Sequence, residues 1–224
     1  MRKVLIWILP LFALAWSCAK DDAGTAERAK ARLTLNILEE GPRLAARAAD
    51  EKAVQDVNVF LYDVRGIARP QHFYVQGGVL ACSVPVGEYE VYAVANLHED
   101  MGAMDRGALL AYEFRMPRNY ASLPMSGRAA CTVGPKTQSI TVSVRRNVAK
   151  IVCNISFYGT NYNLKLQSVQ MMDMAGVTTL FAEDQQAREL CSSELSAMAP
   201  YENRKASRTF FLAENCRGEV PGIT

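Results

Sequence analysis

A chain of 224 residues in which half are apolar is long enough to bury a full core and too apolar to be disordered throughout. Its 25 basic and 23 acidic side chains are interspersed, and with no long block of one sign the composition argues against a nucleic-acid partner. The densest basic cluster, Arg145, Arg146 and Lys150, has no interleaved aromatics and reads as a solvated strand edge.

In chain order, Arg2 and Lys3 form a short positive region, Val4 to Trp16 is almost wholly apolar, and Ala15-Trp16-Ser17 supplies a cleavage site before Cys18. Residues 1–17 are therefore expected to be a signal peptide. The run resembles a bacterial lipoprotein signal, which makes Cys18 the expected lipidation site. Two or more acyl chains on Cys18 would hold the protein firmly to a bilayer. Loss of Arg2 and Lys3 takes the 25 basic residues to 23, equal to the 23 acidic ones. Residues 18–31 are small and charged and suit a tether.

Leu33, Leu35 and Ile37 alternate with Thr34 and Asn36, a strand with one apolar face. From Glu39 to Lys52 the chain is rich in Ala and Arg, broken by Gly41-Pro42, and reads as a linker or as a short helix from Leu44. Strand character resumes at Val57–Tyr62, with Val57, Val59 and Leu61 on one face and Phe60 and Tyr62 on the other; Asp63 to Gly66 is a turn. Val79–Val84 and Tyr89–Ala95 are extended runs joined by Pro85-Val86-Gly87-Glu88, the pattern of a hairpin. Residues 105–112 fit one short helix and 117–127 a loop. The strongest alternation covers Ser139–Val144 and Val148–Phe157, with a bulge or crossing at Arg145-Arg146-Asn147. Further strands are expected at 164–172 and 209–212, and a short helix at 184–198.

Five cysteines follow Cys18, with no CxxC spacing, and His72 and His98 have no ligand-like neighbourhood in sequence. No metal site or cofactor is expected. Cys82 and Cys153 sit in apolar alternating runs and read as small core residues.

Three stretches resemble the fimbrillin superfamily of Bacteroidetes surface fimbriae and its fimbrillin-like lipoproteins. They are Val57-Asn58-Val59-Phe60-Leu61-Tyr62-Asp63 with Gly66, the run Val84-Pro85-Val86-Gly87-Glu88-Tyr89 on to Asn96, and Leu123-Pro124-Met125-Ser126-Gly127 followed by Val142 to Ile151. Phe210-Phe211-Leu212-Ala213-Glu214-Asn215 is a looser match. The resemblance implies an all-β chain: a transthyretin-like antiparallel β-sandwich of about seven strands with short helices, over residues 32–157. A partial second β domain is expected over 158–224, the second sandwich being absent or incomplete. It also implies assembly by strand donation, in which an Arg-specific protease removes a leading strand and a neighbouring subunit's strand fills the groove. Here the possible donor strand carries Leu33, Leu35 and Ile37. Arg43 and Arg47 follow it, and Arg47-Ala48 is the best-placed cleavage site.

No GxSxG elbow, P-loop, GxGxxG or HExxH motif occurs, and Ser126 has no nearby His in sequence, so no catalytic residue is expected. The expected function is a lipid-anchored surface fimbrial subunit, accessory or anchor protein at the outer membrane. Its partners would be other fimbrial subunits and host or bacterial surface ligands. The alternative is a non-polymerising surface lipoprotein that binds glycan or another ligand, for which Tyr112, Tyr120, Tyr158 and Tyr162 are the loop aromatics.

Overall fold

The computed structural model describes residues 29–40, 54–115, 122–136, 138–156, 168–181, 188–196 and 205–213. Most of these residues lie in strands, and the largest sheet has seven strands in the order β3-β2-β5-β7-β8-β1-β4. Its members are β1 (Lys30–Glu39), β2 (Asp56–Asp63), β3 (Gln71–Gln76), β4 (Val79–Pro85), β5 (Gly87–Ala95), β7 (Met125–Val133) and β8 (Gln138–Arg146). A three-stranded sheet joins β6 (Glu113–Arg115), β10 (Ser168–Thr179) and β11 (Arg188–Ser196), and β9 (Val148–Ser156) pairs with β12 (Lys205–Ala213). One short helix, α1 (Arg106–Leu110), starts at Asp105, whose carboxylate accepts from the Ala108 N–H at 2.8 Å.

Alternation explains how two cores share the central strands. Val57, Val59 and Leu61 of β2 and Tyr89, Val91, Ala93 and Ala95 of β5 point to one side. There they meet Leu33, Leu35 and Ile37 of β1, Leu80 and Val84 of β4, and Val142 and Val144 of β8 in one cluster. The two ends of the seven-stranded sheet therefore share a core. On the opposite side Phe60, Tyr62, Tyr92 and Val94 pack against Leu109, Phe114, Leu123 and Leu180. That is why β2 is buried along its whole length, and why its two apolar faces were readable as such.

Several expectations are corrected. The large sheet is not purely antiparallel, because β1 runs parallel to β8. Residues 79–95 are not a hairpin. β4 pairs with β1, β5 pairs with β2 and β7, and the short link between them crosses the shared core. The Tyr89 hydroxyl, donating to the Pro85 carbonyl at 2.8 Å, fixes that crossing. The helix expected at 184–198 is strand β11 where it is described, paired with β10. The loop expected at 117–127 gives way to β7 from Met125. Over residues 30–156, where about seven strands were expected, the chain forms nine, seven of them in the large sheet. Strands beyond residue 157 pair with earlier ones, β12 with β9 and β10 with β6.

Candidate functional site

The leading strand β1 occupies a slot between β4 and β8, and the slot is the candidate site. Ala31, Leu33, Leu35 and Ile37 are buried in the shared core, the two leucines completely. Leu35 stands opposite Leu80 of β4 and Ile140 of β8. Main-chain bonds close both ends: the Val86 N–H donates to the Ala29 carbonyl at 2.8 Å, and the Glu40 N–H to the Val144 carbonyl at 2.7 Å. In the middle the Ile37 N–H donates to the Gly78 carbonyl at 2.7 Å. A Cβ at Gly78 would come within 2.9 Å of the Ile37 carbonyl oxygen, so glycine there lets β4 lie close to β1. Outward, Asn36 Nδ2 donates to Ser139 Oγ at 2.9 Å.

The trailing end of β1 is held by charge. Arg145 forks onto Glu40, with Nε 3.1 Å from Oε2 and Nη2 3.2 Å from Oε1. The guanidinium holds the Glu40 carboxyl below its usual range and is itself raised by the carboxylate. Arg146 Nε lies 2.9 Å from Glu39 Oε1 as a charge contact, not an aligned hydrogen bond. The latter pair is the better shielded, the two side chains being 30% and 20% exposed.

The next residue, Asn147, is the only one between β8 and β9. Its amide nitrogen donates to the Leu180 carbonyl at 2.8 Å and to Ser126 Oγ at 3.0 Å, while Ser126 donates to the same carbonyl. The Asn147 N–H donates to the Pro124 carbonyl at 3.0 Å. Ser126, which falls in the loop expected at 117–127, is half of a clamp joining the large sheet to the segment after β10. Asn147→Ala is expected to cost about 1–2 kcal/mol, read as a shift of the denaturant midpoint.

The histidines, silent in sequence, anchor the loop after β5. His98 Nδ1 is 2.6 Å from the buried Asp56 carboxylate and its Nε2 is 2.7 Å from Ser122 Oγ. This Asp-His-Ser order has the connectivity of a hydrolase relay. Ser122, however, is 3% exposed, and Asp56 also accepts the His98 N–H at 3.1 Å. The array fixes a turn in which Asn96 and His98 both hold positive φ. Asn96 serves the same turn, accepting from the Gln55 N–H at 2.9 Å.

His72 Nε2 is 3.0 Å from Asn58 Oδ1, which also accepts the Met101 N–H at 3.0 Å. Burial pushes the His72 imidazole down, partly opposed by the Asp100 carboxylate 3.7 Å away. A depressed imidazole binds its proton less readily folded than unfolded. Stability is therefore expected to be full above about pH 6.5 and to fall as pH drops below it towards the folded-state value. His72→Gln should flatten that part of a stability-against-pH curve.

Of the residues singled out from sequence, Leu33, Leu35 and Ile37 come together in the slot. Cys18, Arg43, Arg47, Ala48, Tyr120, Tyr158 and Tyr162 lie outside the described residues. Tyr112 is half-buried against the second core and donates to Glu99 Oε1 at 3.2 Å, so it is no open platform. Cys82 and Cys153 do pack against apolar clusters. The pairs Glu39–Arg146 and Glu40–Arg145 are not legible in the sequence. Only their register across the slot brings them together.

No protein-family model and no curated protein is significantly similar to this chain in sequence. Solved structures are similar to it in fold. One is a Bacteroides thetaiotaomicron protein proposed to bind polysaccharide, 14% identical, with a TM-score of 0.64 over 86% of this chain and 75% of that one. The tip fimbrial protein Mfa3 from Porphyromonas gingivalis, solved with a C-terminal truncation, is 17% identical with a TM-score of 0.58 over 83% and 69%. A fimbrial assembly protein from Parabacteroides distasonis is 16% identical with a TM-score of 0.51 over 87% and 84%. At such identity the likeness is one of fold: the chain has the fold of these Bacteroidetes proteins, two of them fimbrial.

Proposed function

We propose that this chain is a cell-surface fimbrial subunit, accessory or anchor protein, structural and adhesive, whose leading strand is exchangeable. The observation that carries the reading is the slot: β1 contributes Leu33, Leu35 and Ile37 to the shared core and is followed by the segment containing Arg43 and Arg47. In this reading the two halves of the large sheet form a transthyretin-like sandwich. Lipid on Cys18 holds the protein to the outer membrane, and cleavage after Arg47 frees β1 so that another subunit's strand can enter by β-augmentation. The role is structural and requires no catalytic group or cofactor. Mass-spectrometric mapping of the N-terminus, in sheared filaments and in outer membranes, tests it. An Ala48 start in filaments is expected; a lipidated Cys18 confined to membranes, with nothing in filaments, would rule out polymerisation.

A second reading, a non-polymerising lipoprotein that binds glycan, is favoured by a cavity of about 300 Å³ lined by Glu90, Tyr92, Arg128, Ala129 and Ala130. Glu90 there pairs with Arg106 at 3.0 Å and accepts from the Tyr92 hydroxyl at 3.3 Å. Binding of a surface polysaccharide that is lost in Glu90→Gln, with no filament fraction, would favour this reading.

A further inference from the structure

We infer that Arg145 and Arg146 select the direction and the trailing end of whichever strand fills the slot, so that it accepts an extended segment of alternating apolar residues followed by two carboxylates. The inference rests on the exchange reading above and adds the chemistry of the partner strand.

The backbone of the slot does not choose a direction. β1 is antiparallel to β4 and parallel to β8, so β4 and β8 run opposite to one another. A strand entering either way meets one parallel and one antiparallel neighbour, with nearly the same ladder energy. The apolar face chooses little more. Leu33, Leu35 and Ile37 repeat every second residue, and a reversed strand would still turn a row of similar side chains inward.

Charge breaks the tie. β8 ends in Arg145 and Arg146, which meet Glu40 and Glu39 at 3.1 and 2.9 Å. The leading end of β1 carries Lys30 and Arg32, and reversal would bring these cations towards the arginine pair. Repulsion in a partly shielded place excludes the wrong strand more strongly than attraction rewards the right one. The arginines are also well placed to read the strand, because Asn147, next in the chain, is fixed by its bonds to Leu180, Ser126 and Pro124. A small residue is accepted at the opposite end, where Ala31 is buried beside Val84.

The test uses the full chain with a specific-protease recognition sequence inserted after Arg47, cut so that β1 remains docked. Labelled peptides spanning Lys30–Glu40 are then added at low salt and their entry followed by fluorescence polarisation. The wild-type peptide is expected to enter, and the E39Q/E40Q peptide to bind about tenfold more weakly, the difference shrinking as salt rises. On an R145E/R146E chain the preference should invert, with an E39K/E40K peptide entering better than wild type. Equal entry of the wild-type and E39Q/E40Q peptides at low salt would overturn the inference and leave strand exchange standing. Entry of no peptide, wild type included, would overturn the exchange reading and this inference with it.

Discussion

Leu35→Ala is expected to lower the unfolding free energy by about 2–5 kcal/mol. Leu35 is completely buried and sits midway along β1, opposite residues of both neighbouring strands. Truncation removes apolar burial and leaves a hole in the shared core, whose packed side chains relax only partly to fill it. Leu38 supplies the control. It lies on the same strand but is 56% exposed, so Leu38→Ala should cost no more than about 0.5 kcal/mol. Urea titration of both variants decides the matter: similar midpoints would mean that β1 does not contribute its inward face to the core in solution. In a chain cut after Arg47, Leu35→Ala should also speed the loss of β1, seen as earlier exposure of the slot to an apolar dye.

Gly127→Ala is expected to be at least as damaging, costing about 3 kcal/mol or more. A Cβ at Gly127 would run into the carbonyl oxygen of Ser143 and stand only 3.0 Å from the Val144 Cα. These are backbone atoms of β8 and cannot rotate away. The glycine lies within strand β7, opposite Ala93 of β5, where β7 and β8 pass closely to join the two halves of the large sheet. Displacement of β8 would be felt in the slot, because Val142 and Val144 stand opposite Ile37 and Glu39. Ser126→Gly, one residue earlier, removes the hydroxyl clamp without adding volume and should cost clearly less. Thermal unfolding of the two proteins side by side separates the close approach from the lost hydrogen bond.

Strict alternation made the inward faces of β1, β2 and β5 legible, since a strand with a buried face writes it as a period of two. The same local signal could not say which strands pair. Tyr89 and Val84 are five residues apart, yet their strands lie on different parts of the sheet, because a short link can cross a core as readily as it can turn a hairpin. The first three residues of β7, Met125 to Gly127, fall within the loop expected over 117–127 because Pro124 and Gly127 are turn residues in sequence, but Gly127 lets two backbones approach. β3, Gln71-His72-Phe73-Tyr74-Val75-Gln76, is half-buried from Gln71 to Val75 and offers no contrast between faces. β11, Arg188-Glu189-Leu190-Cys191-Ser192-Ser193-Glu194-Leu195-Ser196, places its apolar residues too sparsely to separate a strand from a helix. At the slot, the apolar row was legible and the charged end was not. Glu40 and Arg145 are 105 positions apart, and only the parallel register of β1 on β8 brings them together.

That separation also bears on the order of folding. β1 is made first, but the contact between Asn36 and Ser139 closes a loop of 103 residues, whereas β2, β3 and β5 pair over much shorter spans. Loop-closure entropy and contact order both favour the shorter pairings before the longer one. On those grounds β1 docks late, onto a sheet whose other strands have already met. The open slot is then a state the chain passes through on its way to the native fold, and not damage done to the finished protein.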